Sequence, residues 1–117
     1  MVAFDENYDA YMLELDGVLF RWEEKPDAAA EQAAERTACA YHKNIRKIAE
    51  FLIDDLIRDI WGISDPDQVI ARLGRPQIAP GLRQVVYCEH LFDQLHVISF
   101  EYLDDEFLRL QAVDLDG

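Results

Sequence analysis

Between Asp27 and Gly62 the apolar residues Ala34, Ala38, Tyr41, Ile45, Ile48, Leu52, Leu56 and Ile60 recur at spacings of three and four, and Ala49, Ile53 and Ile57 widen the stripe. That spacing puts them along one side of an α-helix. Glu31, Glu35, His42, Lys43, Arg46, Lys47, Glu50, Asp54 and Arg58 fall mostly on the other side, where Arg46/Glu50 and Asp54/Arg58 can pair one turn apart. Asp27, after Pro26, suits the N-cap, and Gly62 suits the end. A helix spanning this whole stretch is far longer than the average of ~11–12 residues, so a break near Asn44 is expected. A stripe this long needs an extensive apolar surface against it, and the flanking segments must supply that surface.

Those segments have a different period. "YMLELDGVLFRW" reads as a β-hairpin about Asp16-Gly17, a dipeptide suited to the positive φ angles of a type I′ turn. Folding there pairs Leu15 with Val18, Leu13 with Phe20 and Tyr11 with Trp22 on one face. "SDPDQVIARLG" is a short helix with Asp65 as cap, Pro66 in the first turn and Gly74 at the end. "RPQIAPG", with two prolines and a glycine, reads as an extended connector. From Leu82 onward "RQVVYCEH", "HVISFEYL" and "FLRLQAVDL" read as three strands, the last two joined by an acidic turn at Asp104 and Asp105.

The expected fold is therefore α+β, in the order ββ-αα-βββ: one antiparallel sheet packed on one long and one short helix. The 117 residues form one domain, 1–117, with 1–9 expected to fray because they show no pattern. Asp5, Glu6 and Asp9 stand where a secretory signal would need basic and then apolar residues, and no stretch reaches the ~18 apolar residues of a membrane span. A cytoplasmic protein with no membrane partner is the expectation.

The stretch "YCEHLFDQLH", Tyr87 to His96, concentrates ligand-type side chains. With pairing symmetric about Asp93, His90 faces His96, Cys88 faces Ile98 and Val86 faces Phe100, all on the apolar face. Cys88, His90 and His96, with Asp93 or water as a fourth group, are then candidate metal ligands. The alternative makes Cys88 a small core residue and the histidines a polar edge, and the absence of a second ligand cluster favours it. No cofactor is expected. Two adjacent imidazoles would still confer a mild acid sensitivity.

Other chemistry has less support. Ser64 and Ser99 lack a nucleophile-elbow context, and the five glycines form no phosphate loop. Cys39, among alanines, reads as a buried structural thiol. The C-terminal "DLDG" lacks the rest of a calcium loop. Neighbouring acids such as Glu23/Glu24, Asp54/Asp55 and Asp104/Asp105 are ordinarily just solvated. A non-enzyme is expected.

The formal net charge of −13 weighs against nucleic acid as a partner and favours basic proteins. Residues 1–35 hold ten acids and two bases, 36–83 six and eight, and 84–117 eight and one, so the excess lies on the strand-bearing ends. The outer sheet face is thus the expected docking surface, with Tyr87, Glu89, Val97, Ser99, Glu101, Asp104 and Asp105 as its contact residues. The expected function is a small acidic protein that binds a basic protein. By functional analogy it resembles an immunity or inhibitor protein that neutralises a toxin by placing carboxylates in its cationic cleft. The alternatives are a homodimeric secretion or folding chaperone and an enzyme using metal at 88–96.

Overall fold

The computed structural model describes residues 2–117. Its sheet has seven strands whose spatial order follows the chain. They are β1 (Ala3–Asp5), β2 (Ala10–Leu15), β3 (Val18–Trp22), β4 (Gln77–Ala79), β5 (Gln84–Tyr87), β6 (Val97–Tyr102) and β7 (Leu110–Asp116). Between β3 and β4 runs the helical layer, which covers one face of the sheet.

The β2–β3 hairpin has the expected register: Tyr11 opposite Trp22, Leu13 opposite Phe20 and Leu15 opposite Val18. Asp16 and Gly17 take φ angles of 51° and 76°, the left-handed pair that a type I′ turn needs.

The long helix is present and is divided where the sequence suggests. Helix α1 (Ala28–Lys43) starts at Asp27, whose carboxylate accepts the Ala30 N–H at 2.8 Å. Asn44 leaves helical geometry at φ −112°, ψ 17°, and its amide donates to the Ala40 carbonyl. Helix α2 (Ile45–Leu52) continues into a π-helical turn at Ile53–Ile57 and then α3 (Arg58–Trp61), which Gly62 ends in the left-handed region at φ 69°. The wider π turn delays the apolar stripe by one residue. Ile60, expected on the stripe, is therefore 50% exposed, and Trp61 turns inward to stack on Phe92. Helix α4 (Pro66–Leu73) follows, with Asp65 accepting the Asp67 N–H and Gly74 at its end.

The expected antiparallel sheet in the order ββ-αα-βββ is corrected in three places. The "RPQIAPG" segment is not a simple connector, because Gln77–Ala79 forms β4, inserted beside β3. Its prolines bracket the strand and so remove no ladder donor from within it. The pair β3–β4 is parallel, with Leu19 opposite Gln77 and Phe20 opposite Ile78, so the sheet is mixed. The helical layer is the long crossover that a parallel pair requires. Finally, residues 3–5 pair with β2 as strand β1, and the Asp5 carboxylate closes the following turn on the Asn7 N–H, so this part of the segment expected to fray is ordered into the sheet. Met1 lies outside the described residues.

The core lies between the sheet and the helices. Phe20, Ile78, Val85, Tyr87, Ile98 and Phe100 face Ala34, Ala38, Tyr41, Ile48, Leu52 and Ile57. Full burial of each large side chain contributes roughly 1.5–3 kcal/mol. The Tyr41 and Tyr87 hydroxyls hydrogen-bond to each other at 2.7 Å inside this core, joining α1 to β5. Burial pushes both phenols above their ordinary pKa, so both stay neutral. Among the described residues no helix is long and apolar enough to cross a membrane.

Candidate functional site: the outer face of the sheet

The side of the sheet away from the helices follows from strand alternation. Across it runs a row formed by Glu14, Leu19, Gln77, Val86, Ser99 and Asp114, each opposite the next on the neighbouring strand. Beside it, Gln84 lies opposite Glu101 and Glu101 opposite Gln111, whose amide donates to the Glu101 carboxylate at 2.9 Å.

A cleft of about 620 Å³ opens where the parallel strands run out. Arg21, Trp22, Glu23 and Glu24 line it from the end of β3, and Gln77 and Ala79 from β4. Gly81 and Leu82, in a short 3₁₀ turn after β4, and Gln84, Val86 and Cys88 complete it with Tyr8. The volume lies within the ~300–1,000 Å³ of ordinary ligand pockets.

The polar groups in the cleft differ in how well they are held. Arg21 donates to the Tyr8 carbonyl at 3.1 Å and lies over the Tyr8 ring. The Gln77 side-chain oxygen accepts a long contact from the Cys88 thiol at 3.8 Å. The Gln77 amide nitrogen is buried without any hydrogen-bond partner, unlike any other side-chain polar atom among the described residues. Partial desolvation of the sulfur against the cleft wall, aided by the charge of Glu89, raises the thiol pKa of the otherwise exposed Cys88, which disfavours a reactive thiolate. Glu23 and Glu24 stand exposed at the mouth.

The predicted contact residues are only partly brought together. Val97, Ser99 and Glu101 do lie on the outer face, although Ser99 is just 9% exposed. Tyr87 does not: it is fully buried on the core side. Pairing of Val85 with Phe100, Val86 with Ser99 and Tyr87 with Ile98 is one residue away from the expected register, and one residue of slip exchanges the two faces of β5. Cys88 is consequently exposed on the outer side, and Cys39, expected to be buried, is exposed on α1.

Glu89 is exposed but engaged, because Arg75 reaches it at 2.7 Å and Glu14 at 3.0 Å, bridging the two carboxylates. These two partners raise the guanidinium pKa further. Asp104 serves its own turn, accepting the Glu106, Leu108 and Arg109 N–H groups. Burial pushes its carboxyl up, but those backbone bonds and the Arg109 charge outweigh it and hold the pKa below the usual value. Asp105 is exposed and pairs with Arg83 at 2.9 Å.

The 88–96 segment is a loop, not a symmetric hairpin end. His90 donates through Nε2 to the His96 carbonyl at 2.6 Å and accepts the Phe92 N–H at Nδ1, so both ring nitrogens are committed to the backbone. His96 Nδ1 meets the Asp93 carboxylate at 2.7 Å, and Asp93 also accepts the Leu95 and His96 N–H groups. Cys88, His90 and His96 therefore do not converge, and the two imidazoles do not form the expected facing pair. Among the described residues no group of three or more His, Cys, Asp or Glu side chains is arranged to hold a metal ion. Asp93 is an acid-sensitive element of this loop: its pKa is lowered to about 2, chiefly by the hydrogen bond from His96.

Sequence reasoning missed Arg21, Gln77, Gln84 and Val86 as neighbours. The only local signal was a glutamine between two prolines, which reads as linker unless the crossover to β3 is known. No family model, no curated protein and no solved structure matches the chain.

Proposed function

We propose that this protein is a small acidic interaction module whose outer sheet face binds a basic protein. The observation supporting the reading is the pairing of an open, largely apolar cleft with a surrounding set of carboxylates: Glu23 and Glu24 at its mouth and Glu101 and Asp114 farther across the same face. Apolar surface slows dissociation, and the charge excess speeds encounter with a cationic partner. A protein with a cationic substrate cleft, such as a toxin acting on nucleic acid, fits this chemistry, because carboxylates can occupy positions otherwise taken by phosphates.

The reading is tested by reversing charge on one side of the molecule at a time. The partner for this test is a basic chain that co-purifies with the protein from its own cells. Its affinity should fall at least tenfold, roughly 1.4 kcal/mol, in the Glu101→Lys/Asp114→Lys double variant. It should change little in the charge-matched Glu35→Lys/Glu50→Lys variant, at two exposed positions of the helical layer. Equal losses from both variants would point to general charge attraction and refute a specific face.

A further inference from the structure

Resting on that reading, we infer that the outer-face cleft seats one basic side chain of the partner, a lysine or an arginine, together with the peptide group that carries it. Three observations support this occupant. First, the cleft has an apolar floor and wall in Ala79, Leu82 and Val86, which suit the aliphatic stem of a long cationic side chain. Second, the exposed Glu23 and Glu24 at the mouth make no salt bridge among the described residues, which leaves their carboxylates to receive a guanidinium or ammonium head; the carboxylates of Glu14 and Glu89 are already bridged by Arg75.

Third, Gln77 has a donor without an acceptor. Among the described residues its amide nitrogen is buried and unpartnered, and its oxygen meets only the distant Cys88 thiol. A buried donor left without a bond is costly, so a rotation of this side chain toward an incoming peptide carbonyl is favoured. Gln84, on the next strand, offers a second amide in the same cleft. Arg21 also lines the cleft, but its guanidinium is held at the Tyr8 carbonyl and ring. An acidic occupant would meet the like charge of Glu23 and Glu24, which line the same cleft.

The test uses ¹⁵N-labelled full-length protein and three small probes of the same backbone: the N-acetyl, N-methylamide derivatives of arginine, norleucine and glutamate. Titration with the arginine probe should shift the side-chain amides of Gln77 and Gln84 and the backbone amides of Glu23 and Glu24. Its affinity should exceed that of norleucine by roughly two- to fivefold, as expected for a charge pair gained at an exposed mouth. Glu23→Gln/Glu24→Gln, at two exposed positions, should abolish that preference without disturbing the remaining spectrum. Equal binding of norleucine would overturn the inference in favour of a purely apolar site, and stronger binding of glutamate would overturn it in favour of an anion site at Arg21. If the arginine probe shifts only carboxylate-rich regions away from the cleft, this inference falls while the acidic docking face stands. If neither that probe nor hexa-arginine shifts any outer-face resonance, both fall.

Discussion

The two faces of the sheet use the same strands under opposite conditions. Facing the helices, Val85, Tyr87, Ile98 and Phe100 are fully buried, and the hydroxyl pair of Tyr41 and Tyr87 satisfies the polarity that comes with them. Facing outward, their immediate neighbours Gln84, Val86 and Cys88 border a cleft, Glu101 lies farther across the face, and Gln77 keeps an unpaired donor. Stability resides on the first face, where every large group has a partner. The second face tolerates an unsatisfied group and clustered charge, features that add nothing to folding and suit contact with another molecule.

Substitutions should separate the faces by size of effect. Phe100→Ala should destabilise by about 3–5 kcal/mol in urea unfolding, whereas Glu101→Ala, the next residue on the other face, should stay near ~0.5 kcal/mol. Similar losses from both would dissolve the distinction. Gly74→Ala comes next. Gly74 sits at φ 74°, ψ −163°, and an added Cβ would lie 2.6 Å from the Glu89 carbonyl oxygen. A backbone conformation of that kind costs a non-glycine residue about 1–3 kcal/mol before the clash is counted.

Tyr87→Phe should cost about 1–3 kcal/mol by stranding the buried Tyr41 hydroxyl, and adding Tyr41→Phe should recover part of that loss. Strict additivity of the two changes would show that the hydroxyl bond is not what holds them. On the outer face the mirror case is Gln77→Leu, which should leave stability unchanged or raise it by up to about 1–3 kcal/mol, because it removes a buried donor that had no partner. A large loss would mean that Gln77 serves the fold and not the cleft.

Acid provides a separate probe of the loop that joins β5 to β6. The folded state holds the Asp93 carboxyl at about 2, below its ordinary 3.8, so the unfolded chain takes up this proton first as pH falls. The stabilisation from Asp93 should be complete above about pH 4 and fade between about 4 and 2. Asp93→Asn should lessen the acid dependence of the unfolding free energy over that interval, and an unchanged profile would contradict the geometry at His96.

How much of this was legible in the sequence depended on local contrast. Asp16-Gly17 set the first hairpin to the residue, Asp27, Gly62, Asp65 and Gly74 marked helix boundaries through capping chemistry that needs no tertiary information, and helix length alone called for the break near Asn44. In "QVVYCE" the contrast is missing: Val85 and Val86 are identical, and Tyr87 and Cys88 are both acceptable inside, so alternation could not choose the inward face. Tertiary contacts chose it, through Tyr41 and through the His90 and Asp93 bonds that shape the loop. Strand β4 was hidden because only three residues lie in it, and they become a strand only after the crossover brings them beside β3. The cleft was hidden for the same reason, since Glu23 and Gln77 are neighbours only through that parallel pairing.

The most direct test is native mass spectrometry of the chain purified gently from its own cells, run beside the Glu101→Lys/Asp114→Lys variant. Docking at the outer face requires a one-to-one complex with a basic chain that is greatly reduced in the variant. A homodimer without a second chain, or a complex that survives the reversal intact, would contradict the outer face as the docking surface.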